Sequence, residues 1–358
     1  MKFFKIRSLR LSNVNKYRLK SIFYIAIFWT VTDYIVMLLR DQSDKLHPTK
    51  SLLLREILIF AVSLIMGYLF VYKLKKVLRH YPLWLNFTLK SVILLSSAFA
   101  INFIMHYADS LLIEGTTHKQ AIQSILDYAL YKDWLLNKIL YWMIIFFITQ
   151  LFLIINEKYS PGVFVDILLG RYLQPKIEKR IVMFIDLKDS TPIAEKLGHQ
   201  QYFKFIRDFI YLVSSAVIEF EGRIYQYVGD EVVTSWLFEK SNTRKCLASV
   251  IQSRKNIQKK SEHFRREYGI IPEFRVGIHL GDVTIGEIGV IKKDLAMSGD
   301  TMNTTARIRS ACNELNHNFI VSKDFITNID LKDWQSESLG MIDLKGKGSG
   351  IELFTLKI

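Results

Sequence analysis

Cysteine is scarce in this chain. Cys246 and Cys312 are the only two among 358 residues, so no disulfide framework beyond a single bond is open to it. Both lie in the C-terminal half, which the charge pattern places in the cytosol, where thiols stay reduced. Internal repeats and low-complexity tracts are also missing. No small-residue cleavage site follows the first apolar stretch, so that stretch reads as an uncleaved helix rather than a removable signal peptide. The basic helix expected over Thr243–Tyr268 lacks aromatics interleaved with its lysines and arginines for base stacking. It therefore reads as a solvated face, and nucleic acid is not an expected partner.

What is present begins with charge. The formal net charge is +14, yet basic residues crowd the N-terminus (Lys2, Lys5, Arg7, Arg10, Lys16, Arg18, Lys20) and the segment 73–79, both beside apolar runs. That is the pattern of cytoplasmic loops in a membrane protein. Apolar stretches at about 21–39, 54–72, 86–106 and 136–155 are each long enough for a hydrocarbon core of about 30 Å. The charge bias sets the N-terminus, the 73–79 loop and the C-terminus inside, with 40–53 and 107–135 outside. The expected location is the inner (plasma) membrane, multi-pass, with a cytoplasmic head. In the second outer loop, Ala121, Ile122, Ile125, Leu126, Ala129 and Leu130 have the spacing of a short amphipathic helix. Lys90 and Asn102 fall in the third stretch and Lys138 and Gln150 in the fourth. Intramembrane polar groups are functional candidates, although lysines near span ends commonly snorkel to the interface.

Residues 156–179 read as a linker, with Pro161 and Pro175 bracketing a short helix that either transmits motion or only spaces the parts. The pattern from 180 to 358 is that of a soluble α/β domain. Ile181–Ile185 reads as a strand ending on Asp186, followed by the polar loop Leu187–Thr191. Helix is expected from Pro192 and again over Gln201–Glu221, with Phe205, Phe209, Leu212, Ala216 and Phe220 on one face. Arg223–Trp236 reads as a hairpin turning at Gly229-Asp230. Glu273–Leu280 and Val283–Ile288 read as two strands joined at Gly281-Asp282, and a final strand covers Glu352–Leu356. Two aspartates at strand ends are ordinary turn residues, or they converge on one cation. Oxygen ligands of this kind suit Mg²⁺ or Mn²⁺, and Mg²⁺ usually brings phosphates with it. Asn303 and Arg307, four apart on a helix after Gly299, share a face. With Arg275 and the loop Lys345-Gly346-Lys347-Gly348 they supply groups suited to phosphate oxygens.

The order of these pieces resembles the catalytic domain of class III nucleotidyl cyclases over about 177–358. Five motifs carry the resemblance: Phe184-Ile185-Asp186, Val228-Gly229-Asp230-Glu231, Arg275-Val276-Gly277-Ile278-His279, Gly299-Asp300-Thr301-Met302-Asn303 with Arg307, and Lys345-Gly346-Lys347-Gly348. It implies a ferredoxin-like α/β head behind a four-helix transmembrane domain, working as a homodimer with active sites between subunits. It implies two divalent ions on Asp186 and Asp230 with the Leu187 carbonyl nearby, and Arg275 and Lys345 on the triphosphate with Thr191 in the phosphate loop. Asn303 and Arg307 would come from the partner subunit. The implied reaction converts a nucleoside triphosphate, ATP by preference, to a cyclic nucleotide and pyrophosphate. Gln226 and Ala296 stand at the base-reading positions, where adenylyl members carry a lysine and an Asp or Thr. Asp189 stands where many members have glycine. The alternatives are a guanylyl or pyrimidine cyclase, a catalytically inactive receptor module, and a transporter with an accessory domain.

Overall fold

The structure is a computed structural model that describes residues 12–40, 49–74, 77–78, 81–112, 114–129, 132–158, 163–291, 293–329, 334–343 and 350–357. The chain divides into two compact units, one of residues 15–159 and the other of residues 160–358 together with 1–14.

The first unit is all helical: α1 (Asn13–Arg40), α2 (Thr49–Tyr68), α3 (Leu83–Leu112), α4 (His118–Ala129) and α5 (Lys132–Lys158). A π-helical turn, Leu69–Leu74, extends α2. Among the described residues four segments are long and apolar enough to cross a membrane: Asn13–Val36, Arg55–Leu74, Trp84–Ala108 and Ile139–Asn156. They overlap the four expected stretches, and α4 is the expected amphipathic helix. Trp29, Phe70, Leu94, Trp142, Ile145 and Phe146 form the unit's apolar centre. Lys90 does not simply reach for an interface. Its Nζ lies 3.4 Å from the Oε1 of Gln150 on α5. The Asn102 amide bonds back to the Ala98 carbonyl, which satisfies it within its own helix. The side chain of Lys138 lies outside the described residues.

The second unit is built on an eight-stranded sheet. In chain order its elements are α6 (Val163–Leu168), β1 (Lys176–Leu187), α7 (Ser190–Glu219), β2 (Arg223–Val228), β3 (Glu231–Leu237), α8 (Lys240–Lys259), α9 (Ser261–Tyr268), β4 (Phe274–Ile288), β5 (Asp294–Ser298), α10 (Asp300–Glu314), β6 (Phe319–Ser322), α11 (Lys323–Ile326), β7 (Gln335–Ile342) and β8 (Ile351–Lys357). The strand order is β2-β3-β1-β4-β6-β8-β7, with β5 paired to β4. The run β1-α7-β2-β3-α8-β4 is the ferredoxin-like β-α-β-β-α-β unit.

β1 is central because it is apolar on both faces, which only a strand covered on both sides can be. Ile181, Met183, Ile185 and Leu187 enter the main core with Phe205, Phe209, Val213 and Val217 of α7 and Phe264 of α9. Each such side chain adds on the order of 1.5–3 kcal/mol by leaving water. Val182 and Phe184 face the other way, against Tyr172, Val283 and Ile285, with Tyr225, Met297, Met302 and Ala306 packed around them.

Three local expectations are corrected. Gly281-Asp282 is not a turn, because β4 runs unbroken and these residues pair with Arg180 and Lys179 of β1. The glycine is there for packing, since a Cβ on Gly281 would collide with Thr301 at the start of α10. The single basic helix is two, broken at Lys260, and contrary to expectation it does carry aromatics among its basic residues, Phe264 and Tyr268, which stack edge-on to Phe205 inside the core. On α7, Val213 and Val217 join Phe205, Phe209 and Ala216 on the buried face and Leu212 packs partly buried against the same core, whereas the expected Phe220 falls at the helix C-cap.

Candidate active site

Pairing register assembles the site. Asp186 stands directly opposite Arg275 in the β1–β4 ladder. Ile185 stands opposite Val232 in the β1–β3 ladder, which brings Glu231 and the hairpin tip alongside Asp186. Gly229 makes that tip possible at φ 62, a backbone conformation glycine adopts without steric cost. Asp230 lies close enough to Asp186 for its charge to bear on the Asp186 carboxyl. Burial pushes the Asp186 carboxyl above its ordinary range; Arg309 opposes that shift and Asp230 adds to it. Burial likewise raises Glu231, again against Arg309. The Asp230 Oδ2 and the Arg275 Nε are buried without a hydrogen-bond partner.

Asp189 adopts the left-handed conformation at φ 56, ψ 39, and its side chain does not cap α7. A glycine is the easiest residue for that geometry, and Asp is among the few others that tolerate it. Its carboxylate lies 4.0 Å from Arg275. Leu187 closes β1, and Thr191 is exposed in the first turn of α7.

Across the sheet, Gln226 is exposed on β2 opposite Val233, beside an irregularity in the ladder. Ala296 lies on β5 opposite Gly286. The Met297 N–H donates to the Tyr225 hydroxyl at 3.0 Å, which ties the β5 segment that holds Ala296 to the β2 segment that holds Gln226. On α10, Asn303 is exposed and Arg307 half-buried. Lys345 lies outside the described residues.

Sequence reasoning did not single out Arg309, Glu231 or Tyr202 as functional candidates. Arg309 Nη1 lies 3.3 Å from the Asp186 carboxylate, and its Nε lies 2.7 Å from that of Glu231. The second contact is a close pairing of charges not aligned as a hydrogen bond. The Tyr202 hydroxyl is pushed up by burial and then by Asp230. Arg309 had one legible signal, its place two residues after Arg307 and so about 200° further round the helix.

A centre of oxygen donors and guanidiniums at strand ends narrows the field, and the sequence match decides it. Residues 173–357 match the family described as Adenylate and Guanylate cyclase catalytic domain. The chain belongs to this family. Among cyclases similar to it, Adenylate cyclase 2 of Rhizobium meliloti (strain 1021) is 30% identical over 204 residues, 56% of this chain and 56% of that protein. The adenylate cyclase of Anabaena cylindrica is 24% identical over 216 residues, 56% of this chain and 42% of that protein. Retinal guanylyl cyclase 1 of Rattus norvegicus is 21% identical over 202 residues, covering 54% and 18% of the two chains. The chain thus spans about half the length of the first of these cyclases and less of the others. A bacterial light-regulated adenylyl cyclase has the same fold, with a TM-score of 0.52 at 17% identity, covering 69% of this chain and 67% of its own.

Proposed function

We propose that this protein is a membrane-anchored homodimeric nucleotidyl cyclase that converts ATP to cyclic AMP and pyrophosphate. The observation that carries the reading is the neighbouring carboxyls of Asp186 and Asp230, with a buried Asp230 oxygen that no group among the described residues satisfies. A buried acceptor without a partner is costly, so its retention points to a ligand. Among the described residues no set of three or more His, Cys, Asp or Glu forms a ready metal cage. Two carboxylates with a nearby backbone carbonyl fit Mg²⁺ or Mn²⁺, ions that keep few protein ligands and share substrate phosphates. When bound there, such ions would acidify the 3′-hydroxyl and neutralise charge on the departing pyrophosphate.

The chain's own groups then take the following roles. Asp186, Asp230 and the Leu187 carbonyl hold the divalent ions. Arg275 and Lys345 hold terminal phosphates, and Thr191, at the exposed start of α7, adds a hydroxyl to the phosphate loop. Gln226 and the segment around Ala296 face the base. Asn303 orients the ribose and Arg307 offsets charge on the α-phosphate as its bond to pyrophosphate breaks. Arg309 points at its own chain's Asp186, so the Asn303–Arg307 face of α10 turns away from that chain's carboxylates. This supports a site completed by a second copy. The relatives named adenylate cyclases support ATP.

The direct test gives purified protein each nucleoside triphosphate with Mn²⁺ and identifies the product by mass spectrometry. Cyclic AMP is expected from ATP. A product from GTP, CTP or UTP alone would overturn the substrate, and no product from any would leave the head a binding module.

The four apolar segments support a multi-pass inner-membrane protein with a cytoplasmic head. A topology reporter inserted within 107–135 should be active only outside the cytosol, and one at the C-terminus only inside. The reverse labelling would overturn this arrangement.

A further inference from the structure

Arg309 has no role in the chemistry proposed above, yet it makes the closest charge contacts in the acidic centre. Its guanidinium bridges Asp186 on β1 and Glu231 on β3, at 3.3 Å and 2.7 Å. The bridge is built in from below. Gly277 on β4 lets α10 approach so closely that a Cβ there would strike the Arg309 backbone. The helix is therefore pinned to the sheet at the residue whose side chain crosses to the carboxylates. That side chain is 23% exposed, so solutes reach it.

Charge counting shows what the bridge does. Asp186, Asp230, Glu231 and Asp189 face Arg275 and Arg309, four carboxylates against two guanidiniums, which leaves the centre near two negative charges. A divalent ion entering this centre finds half of the carboxylate charge already offset, and it meets a fixed cation on one of the carboxylates it needs. Guanidinium does not lose its proton in proteins, so the opposition cannot be relieved by titration. It is relieved by a polyanion. The Glu231 contact is close but not aligned as a hydrogen bond, so Arg309 is held by charge more than by directed bonds.

We propose that Arg309 is a positioning residue that occupies the Asp186–Glu231 pair in the nucleotide-free head and opposes divalent-ion loading, so that ions enter with the triphosphate rather than ahead of it. This rests on the reading of Asp186 and Asp230 as metal ligands, and the experiment separates the two.

Full-length protein in lipid nanodiscs is titrated with Mn²⁺ without nucleotide, and free Mn²⁺ is followed by electron paramagnetic resonance. Arg309→Met keeps an apolar stem and removes the charge. It should bind Mn²⁺ at least about tenfold more tightly than wild type, because the opposing charge sits within a few ångströms of the ion. Arg309→Lys keeps the charge but lacks the fork that spans both carboxylates, and its affinity should fall between the two. With a non-hydrolysable ATP analogue present, the gap between wild type and Arg309→Met should shrink. A purely structural arginine would lower the melting temperature without tightening Mn²⁺ binding. Unchanged or weaker Mn²⁺ binding in both variants overturns the proposal, provided wild-type binding is lost in Asp230→Ala. If no protein binds Mn²⁺ in a way that depends on Asp230, the metal reading itself falls and the proposal with it.

Discussion

Asp230→Ala and Asn303→Ala are each expected to be nearly inactive, yet co-expressed in equal amounts they should recover about a quarter of wild-type activity, the yield of a twofold dimer with two equivalent sites. Each single variant should lose about 100-fold or more, the scale seen when one preorganised charge-stabilising group is removed from an active centre. Asp230 sits at the β2–β3 hairpin tip with one carboxylate oxygen buried and unsatisfied. Asn303 sits on α10, whose Arg309 contacts the Asp186 of the same chain. Asn303 and Arg307 are one turn apart, and Arg307 and Arg309 are separated by about 200° around the axis. One rigid helix therefore does not present both Arg309 and the Asn303–Arg307 pair to the same carboxylates.

In a mixed dimer one site carries both substitutions and is lost twice over, and the other keeps both native residues. Half of all dimers are mixed under random pairing, and half their sites work, which gives the quarter. A mixture as inactive as either variant would place the Asn–Arg pair in its own chain's site and refute the shared arrangement. Gel filtration of each single variant serves as the control that pairing itself survives.

The fold was legible where one local signal sufficed. The β2–β3 hairpin announced itself through Gly229-Asp230 between apolar runs, and β1 through a run apolar on both faces. Where a residue's reason lay in a distant contact, the sequence misled. Gly281 looked like a turn because glycine usually supplies one, but its role is to admit Thr301. Val213 and Val217, rather than Phe220, complete the α7 core because helix rotation depends on the partner sheet. The site divided the same way. Asp186, Asp230, Arg275, Asn303 and Arg307 stood in recognisable motifs, whereas Arg309 acts through a bridge between two strands far away in sequence. In the helical unit, charges near span ends went unread. The buried Asp33 pairs with Arg55 at 2.8 Å, and both Glu56 carboxylate oxygens are buried without a hydrogen bond. Periodicity marks such residues only as polar interruptions of an apolar run.

Gln226→Lys with Ala296→Asp should keep or strengthen a preference for ATP over GTP, by on the order of 10–100-fold, since a buried polar contact made or left unmade is worth about 1–3 kcal/mol. The wild-type pair is chemically lean. The amide of Gln226 offers a donor and an acceptor, and Ala296 offers neither. The backbone beside Ala296 is partly committed, because the Met297 N–H already donates to Tyr225. However, among the described residues β5 pairs only with β4, which leaves its other edge without a strand partner. Carbonyls on that edge are the acceptors left for the exocyclic amine of adenine, and they are what the ATP reading requires. The double variant supplies a side-chain acceptor at 296 and a charged donor at 226, the pair that adenylyl members carry. Ratios of kcat/KM for the two nucleotides decide the matter, because they compare transition states and are unaffected by how much enzyme is folded. A wild type that makes cyclic GMP or a cyclic pyrimidine nucleotide, with the double variant shifting toward ATP, would show that the native base is not adenine and that Gln226 and Ala296 mark a different specificity.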